Sequence, residues 1–216
     1  DWAGLTTMQP RDLGRTVVLC VIGGSADAIA FLRYGTFVGA MTGNTVLLGI
    51  DLAEGKLDRA GFHLGIVAVF LAAVIVTQTA LKARIPPSLP LLLTALMLGG
   101  SEFIASAWSA IICAGALGMQ NAAVRTIAGV TINTVFITGN LVQLGAAVPA
   151  APEPQRRATI AVLAIAWVAY ALGAAAGAAA LHLIAYPMIV PAVLALVAAL
   201  AETKAEVGNP TDARQE

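Results

Sequence analysis

The chain has 216 residues, with 12 Lys plus Arg against 12 Asp plus Glu, 59% hydrophobic residues and only 11% charged ones, and its mean hydropathy is +0.86. A soluble domain carries about a quarter charged residues, so there is too little polar surface here to cover a water-soluble globule. The even charge balance argues against a nucleic-acid interface or a polybasic membrane-surface patch, and the solvent expected for this chain is the lipid bilayer.

A transmembrane helix needs about 20 mostly apolar residues. Eight segments meet that requirement or come close to it: 16–32, 36–52, 60–81, 89–106, 108–127, 131–148, 158–183 and 187–201. The stretch 1–15 has Arg11 and Arg15 but no cleavable apolar core, which predicts an N-terminal cytoplasmic segment and an uncleaved first span. Residues 203–216 turn polar around Gly208 and Pro210 and predict a mobile tail. The fold expected is therefore an all-α, polytopic integral membrane helix bundle.

Met41-Thr42-Gly43-Asn44 recurs as Ile137-Thr138-Gly139-Asn140, an offset of 138 − 42 = 96 residues. A small-residue stretch with a polar member precedes each copy, Gly24-Ser25-Ala26-Asp27-Ala28 in one half and Gly118-Met119-Gln120-Asn121-Ala122 in the other. This predicts two membrane repeats, 16–106 and 107–202. Four crossings per half make the repeats parallel. If the Thr-Gly-Asn segments instead enter and return on one side, each half crosses three times and the repeats are inverted. Lys/Arg bias favours an N-terminus inside under both arrangements. With eight crossings, Arg11, Arg15, Lys56, Arg59, Arg156, Arg157, Lys204 and Arg214 face the cytoplasm, and Arg33, Lys82, Arg84 and Arg125 face outward.

Asp27 lies deep in the first apolar segment, where a carboxylate costs on the order of 2.5–3.5 kcal/mol on insertion scales. Such a residue is either a proton-coupling group or a structural carboxyl bonded to a neighbouring helix. Each Thr-Gly-Asn motif sets a hydroxyl, a flexible backbone position and an amide inside an apolar segment. A helix broken there frees backbone groups that are tolerated only where they line a cavity or meet a ligand. Thr42, Gly43, Asn44, Thr138, Gly139 and Asn140 thus join Asp27, Gln120 and Asn121 as the expected substrate site, with Gln143 nearby and Arg125 as a charge partner. The competing reading is packing, since Gly35, Gly39 and Gly43 are spaced four apart. Gly173 to Gly177 forms a small-residue face suited to a helix contact within the subunit or across a homodimer.

Cys20 and Cys113 read as packing residues, and Glu102 and Glu202 as ordinary interfacial carboxylates. Arg33, Lys82 and Arg84 read as snorkelling side chains. His63 and His182 have no Cys, Asp or Glu at metal-ligand spacing, so no metal is expected. Gly23-Gly24-Ser25 lacks a positioned base for an intramembrane hydrolase, and no phosphate-binding glycine loop is present. Neither an enzyme activity nor a cofactor is expected.

The run from Ala26-Asp27-Ala28 through Phe31-Leu32, then Met41 to Gly49, Gly118 to Ala122 and Thr138-Gly139, resembles the YoaK-like bacterial membrane proteins over nearly the whole chain. That resemblance implies a multi-pass inner-membrane protein of about six helices and supplies no substrate. The function expected is a small secondary transporter, with proton coupling through Asp27, moving a small polar or anionic solute through a midplane site at the repeat interface. A non-transporting scaffold or accessory subunit, and a passive channel, are the alternatives.

Overall fold

The computed structural model describes residues 10–104, 106–123, 126–127, 130–131, 134, 137–148 and 154–208. Its helices, in order, are α1 (Pro10–Tyr34), α2 (Met41–Ala53), α3 (Leu57–Lys82), α4 (Ser88–Ser101), α5 (Trp108–Ala123), α6 (Ile137–Ala147), α7 (Pro154–Leu183) and α8 (Ile189–Gly208). The all-α bundle is as expected. Within α1, α3 and α7, the stretches Leu13–Tyr34, Leu57–Lys82 and Thr159–Leu183 are long and apolar enough to cross a membrane. Two-residue strands β1 (Thr126–Ile127) and β2 (Val130–Thr131) pair antiparallel before α6, with Thr126 opposite Thr131. All four paired residues are β-branched, which favours strand, where helix ends were predicted on either side.

Two boundaries move for physical reasons. Helix α1 begins at Pro10, a residue well suited to a first helical turn, so part of the expected N-terminal segment is helical. Helix α8 runs on to Gly208 through the polar residues assigned to a mobile tail, because Glu206 accepts bonds from the Ser88 backbone N–H (3.0 Å) and hydroxyl (2.7 Å) at the start of α4.

Small residues set the helix contacts. Gly173 and Gly177 of α7 lie against α1, where an added Cβ would stand 2.5 Å from the Val21 and Ser25 carbonyl oxygens respectively. The small-residue face of α7 thus serves a contact within the chain, and the two helices run in the same direction. Gly24 of α1 likewise sits against the Tyr170 carbonyl of α7. Gly118 of α5 sits against the Phe70 carbonyl of α3, 2.6 Å from where its Cβ would be. Helices α4 and α8 also pack together, antiparallel, with Ser88 near Glu206 at one end and Glu102 accepting from the Met188 N–H at the other.

These contacts fix which helix ends lie together. The Arg15–Glu202 pair (3.3 Å) and the Ser88–Glu206 bonds mark one end. The Arg33–Glu102 pair (2.8 Å) marks the other. Helix α1 ends and α3 begins at the Arg33 end, so the segment 35–56 enters and leaves the bundle on one side. Helix α5 ends and α7 begins at the Arg15 end. Lys82 and Arg84 lie at the end that holds Arg15, with Lys56 and Arg59 opposite, unlike the distribution expected for eight full crossings.

Candidate functional site

The site is built around the turn that follows α1. Gly35 adopts a left-handed conformation (φ 69°), its N–H bonding the Phe31 carbonyl at 2.9 Å, and this ends α1 in the way glycine permits. The chain then turns back alongside α1, bringing residues 38–40 level with Asp27, about two turns below the helix end. Oδ1 of Asp27 accepts from the backbone N–H of Val38 and Gly39, both at 2.7 Å, and from Ala40 at 3.4 Å. Oδ2 accepts from the Tyr170 hydroxyl of α7. Asp27 is 2% exposed. All four partners donate, so the carboxylate supplies acceptors to a broken backbone that could not find them in lipid. Of these groups only the Tyr170 hydroxyl could turn to accept from a protonated Asp27.

Asn44 completes the turn from the other side. Its Oδ1 accepts from the Phe37 N–H and the Thr36 hydroxyl, each at 2.9 Å, and its Nδ2 donates to the Phe37 carbonyl at 2.7 Å. Gly43 leaves room for the Phe37 ring, which an added Cβ would approach to 2.7 Å, and that ring stacks on Phe31 at 4.6 Å. Gly35, Gly39 and Gly43 therefore do not form one packing face: one ends a helix, one donates to Asp27 and one makes space for a ring. Asp27 and Asn44 come together through the turn 36–40. Thr42 is exposed, unlike Asp27 and Asn44.

The second half is arranged differently. Gln120, fully buried, donates from Nε2 to the Leu19 carbonyl of α1 at 3.0 Å. Its Oε1, the Oδ1 of Asn121 and the hydroxyl of buried Thr134 are all enclosed without a hydrogen-bond partner among the described residues. Asn140 is buried, Gly139 is half-buried and Thr138, like Thr42, is exposed. Arg125 lies outside the described residues.

The two halves differ at one comparable helix contact. Gly24 and Gly118 each lie against a carbonyl of a neighbouring helix, that of Tyr170 and that of Phe70 respectively. Three residues beyond Gly24, Asp27 receives the Tyr170 hydroxyl. Asn121 lies three residues beyond Gly118, and Phe70, whose carbonyl meets Gly118, carries no hydroxyl. A buried acceptor left unpaired costs roughly 1–3 kcal/mol.

Sequence reasoning missed Tyr170, Phe70 and Glu102. Tyr170 was legible as a lone hydroxyl in the small-residue run of α7. Glu102 is more than an interfacial carboxylate, because its side chain is 2% exposed and paired with Arg33. Arg33 accordingly pairs across helices, where snorkelling was expected. Cys20 and Cys113 are free and buried, as expected of packing residues. Among the described residues no group of three or more His, Cys, Asp or Glu side chains could hold a metal.

No curated protein and no solved structure matches the chain. The family described as "Protein of unknown function (DUF1275)" matches residues 16–201. The helical bundle with its buried polar turn is thus the fold of a chain that belongs to the DUF1275 family.

Proposed function

We propose that this protein is a small secondary transporter of the bacterial inner membrane, a YoaK-like member of its family, that carries a small polar solute rich in hydrogen-bond donors. In this reading α1, α3 and α4 cross the membrane in the first half and α5, α7 and α8 in the second. The segments holding α2 and α6 re-enter from opposite faces, as inverted repeats do. The charge distribution supports it. Arg15, Lys82, Arg84 and Lys204, with Arg11 and Arg156-Arg157 at the starts of α1 and α7, share the cytoplasmic end, and Arg33, Lys56 and Arg59 share the other.

The observation that carries the reading is the difference between the polar residues of the two halves. In the first, the turn 36–40 is bonded from within the chain by Asp27 and Asn44. In the second, Gln120, Asn121 and Thr134 hold buried oxygens with no partner among the described residues. A solute bringing N–H or O–H groups satisfies those oxygens, and a site deep among helix contacts is where alternating access needs one. Asp27 has a positioning role here: it holds the turn 36–40 rigid while the second half exchanges its ligand.

The test is a thermal-shift screen of neutral, zwitterionic, cationic and anionic metabolites on the purified wild type and on Phe70→Tyr. The variant offers Asn121 the hydroxyl that Tyr170 gives Asp27. A donor-rich solute is expected to stabilise the wild type and to lose most of its effect in Phe70→Tyr. A screen without any binder, or a binder indifferent to Phe70→Tyr and Asn121→Ala alike, would leave the scaffold alternative in its place.

A further inference from the structure

A second buried polar cluster lies at the far end of α2. Asp51 stands two turns beyond Asn44 on the same face, and these two are the buried residues of that helix. Asp51 is 3% exposed. Facing it from α3, His63 is 1% exposed. Its Nδ1 lies 2.9 Å from Oδ2 of Asp51, off the line that a hydrogen bond needs, and its Nε2 is enclosed without a partner. Arg59 reaches Oδ1 of Asp51 from the rim, with Nε at 3.6 Å and more than half its side chain exposed. Glu54 and Lys56 in the connecting turn pair with each other at 2.5 Å in the open. Asp58 faces a cleft beside Phe62, Trp108 and Ile111 on another side of α3. Helix α5, the other helix packed on α3, brings no charged side chain. One carboxylate and one imidazole therefore share an enclosed space with a single guanidinium at its edge.

We propose that Asp51 and His63 together bind one proton, and that its arrival fastens the end of α2 to α3. The proton adds to a ring nitrogen of neutral His63, no other bond breaks, and the imidazolium donates from Nδ1 to Asp51 after a small ring rotation. When it leaves, Asp51 loses its ion pair with His63 and Arg59 is the one cation left beside it. Asn44 joins the other end of α2 to the turn 36–40, and that turn is held by Asp27, so the state of His63 bears on the whole re-entrant segment. The role as coupling proton rests on the transporter reading, whereas proton binding stands without it. Asp27, ringed by donors, gives up to this pair the proton-coupling role expected of it.

The chain has two histidines, and the other, His182, is exposed in the last turn of α7. NMR of ring-labelled histidine in His182→Gln protein therefore reports His63 alone. Between about pH 5 and pH 8, where imidazole changes charge, its ring signals are expected to show one protonation step. Asp51→Asn, which removes the neighbouring negative charge, and Arg59→Gln, which removes the positive one, are expected to move its midpoint in opposite directions. A ring signal unchanged over that range, or a midpoint that neither variant moves, overturns the proposal. Arg59→Gln leaves the buried pair in place and keeps the test valid if Asp51→Asn does not fold. If the midpoints move as expected while the metabolite screen finds no binder, the proton site stands and the transporter reading falls.

Discussion

Replacing Asp27 separates a residue that holds the turn from one that shuttles protons. In Asp27→Ala the N–H groups of Val38 and Gly39 and the hydroxyl of Tyr170 lose their acceptor inside the bundle. At roughly 1–3 kcal/mol for each buried unsatisfied donor, the loss is about 3–9 kcal/mol, comparable to the ~5–15 kcal/mol that keeps a typical protein folded. Asp27→Asn keeps an oxygen toward the two backbone donors and turns an amide toward Tyr170, whose hydroxyl can rotate to accept. It loses the charge assistance, which is about half the strength of such bonds, for a cost of about 2–4 kcal/mol. For a chain of this length that lowers the melting temperature by roughly 5–15 °C. The assay is thermal unfolding in detergent micelles followed by intrinsic fluorescence, with expression level as a second readout. Asp27→Ala is expected to accumulate poorly and Asp27→Asn to melt early. Variants that both melt with the wild type would refute the account of the turn.

Other substitutions test neighbouring parts of the structure. Gly24→Ala drives a methyl group into the Tyr170 carbonyl and should cost at least the ~1–3 kcal/mol of an overpacked core. Gly65→Ala meets nothing within 4 Å and should raise stability by roughly 0.5–1 kcal/mol through helix propensity, so a shared melting temperature for the two variants would contradict the packing described. Asn44→Ala removes three bonds to Thr36 and Phe37 and is expected to lower the melting temperature without altering a Tyr170→Phe effect by more than the error of a double-mutant cycle only if the two ends of the turn act independently. The shared turn predicts coupling of about 0.5 kcal/mol or more. Single cysteines test the crossings, since Cys20 and Cys113 are buried. In intact cells an impermeant thiol reagent is expected to label Lys56→Cys, and to reach Lys204→Cys only after permeabilisation. Equal behaviour of the two positions would restore eight crossings.

The sequence carried the bundle and the depth of Asp27, because hydropathy reports what lipid excludes and a carboxylate in an apolar run is costly wherever it sits. It also marked Asn44, Gln120 and Asn121, which are polar where most neighbours are not. Thr42 and Thr138 are exposed while Asn44 and Asn140 are buried, a difference that the motif's spacing along a helix does not carry. The partner that explains Asp27 lies 143 residues away in Tyr170, beyond any local spacing rule. The pairing of Asp51 with His63 crosses a turn between two helices, whereas metal-ligand spacing considers one helix at a time. Helix ends were obscured for a different reason: Glu206 is polar, yet Ser88 gives it a partner, so the helix continues past its apolar stretch.

The most direct measurement is uptake into proteoliposomes of whichever solute stabilises the purified protein, comparing the wild type with Phe70→Tyr. Saturable uptake that falls sharply in Phe70→Tyr, while the variant melts no lower than the wild type, is the predicted result. Flux that rises linearly with concentration would identify a channel. Binding without uptake in the wild type would contradict transport and leave Gln120, Asn121 and Thr134 as the receptor site of a membrane scaffold.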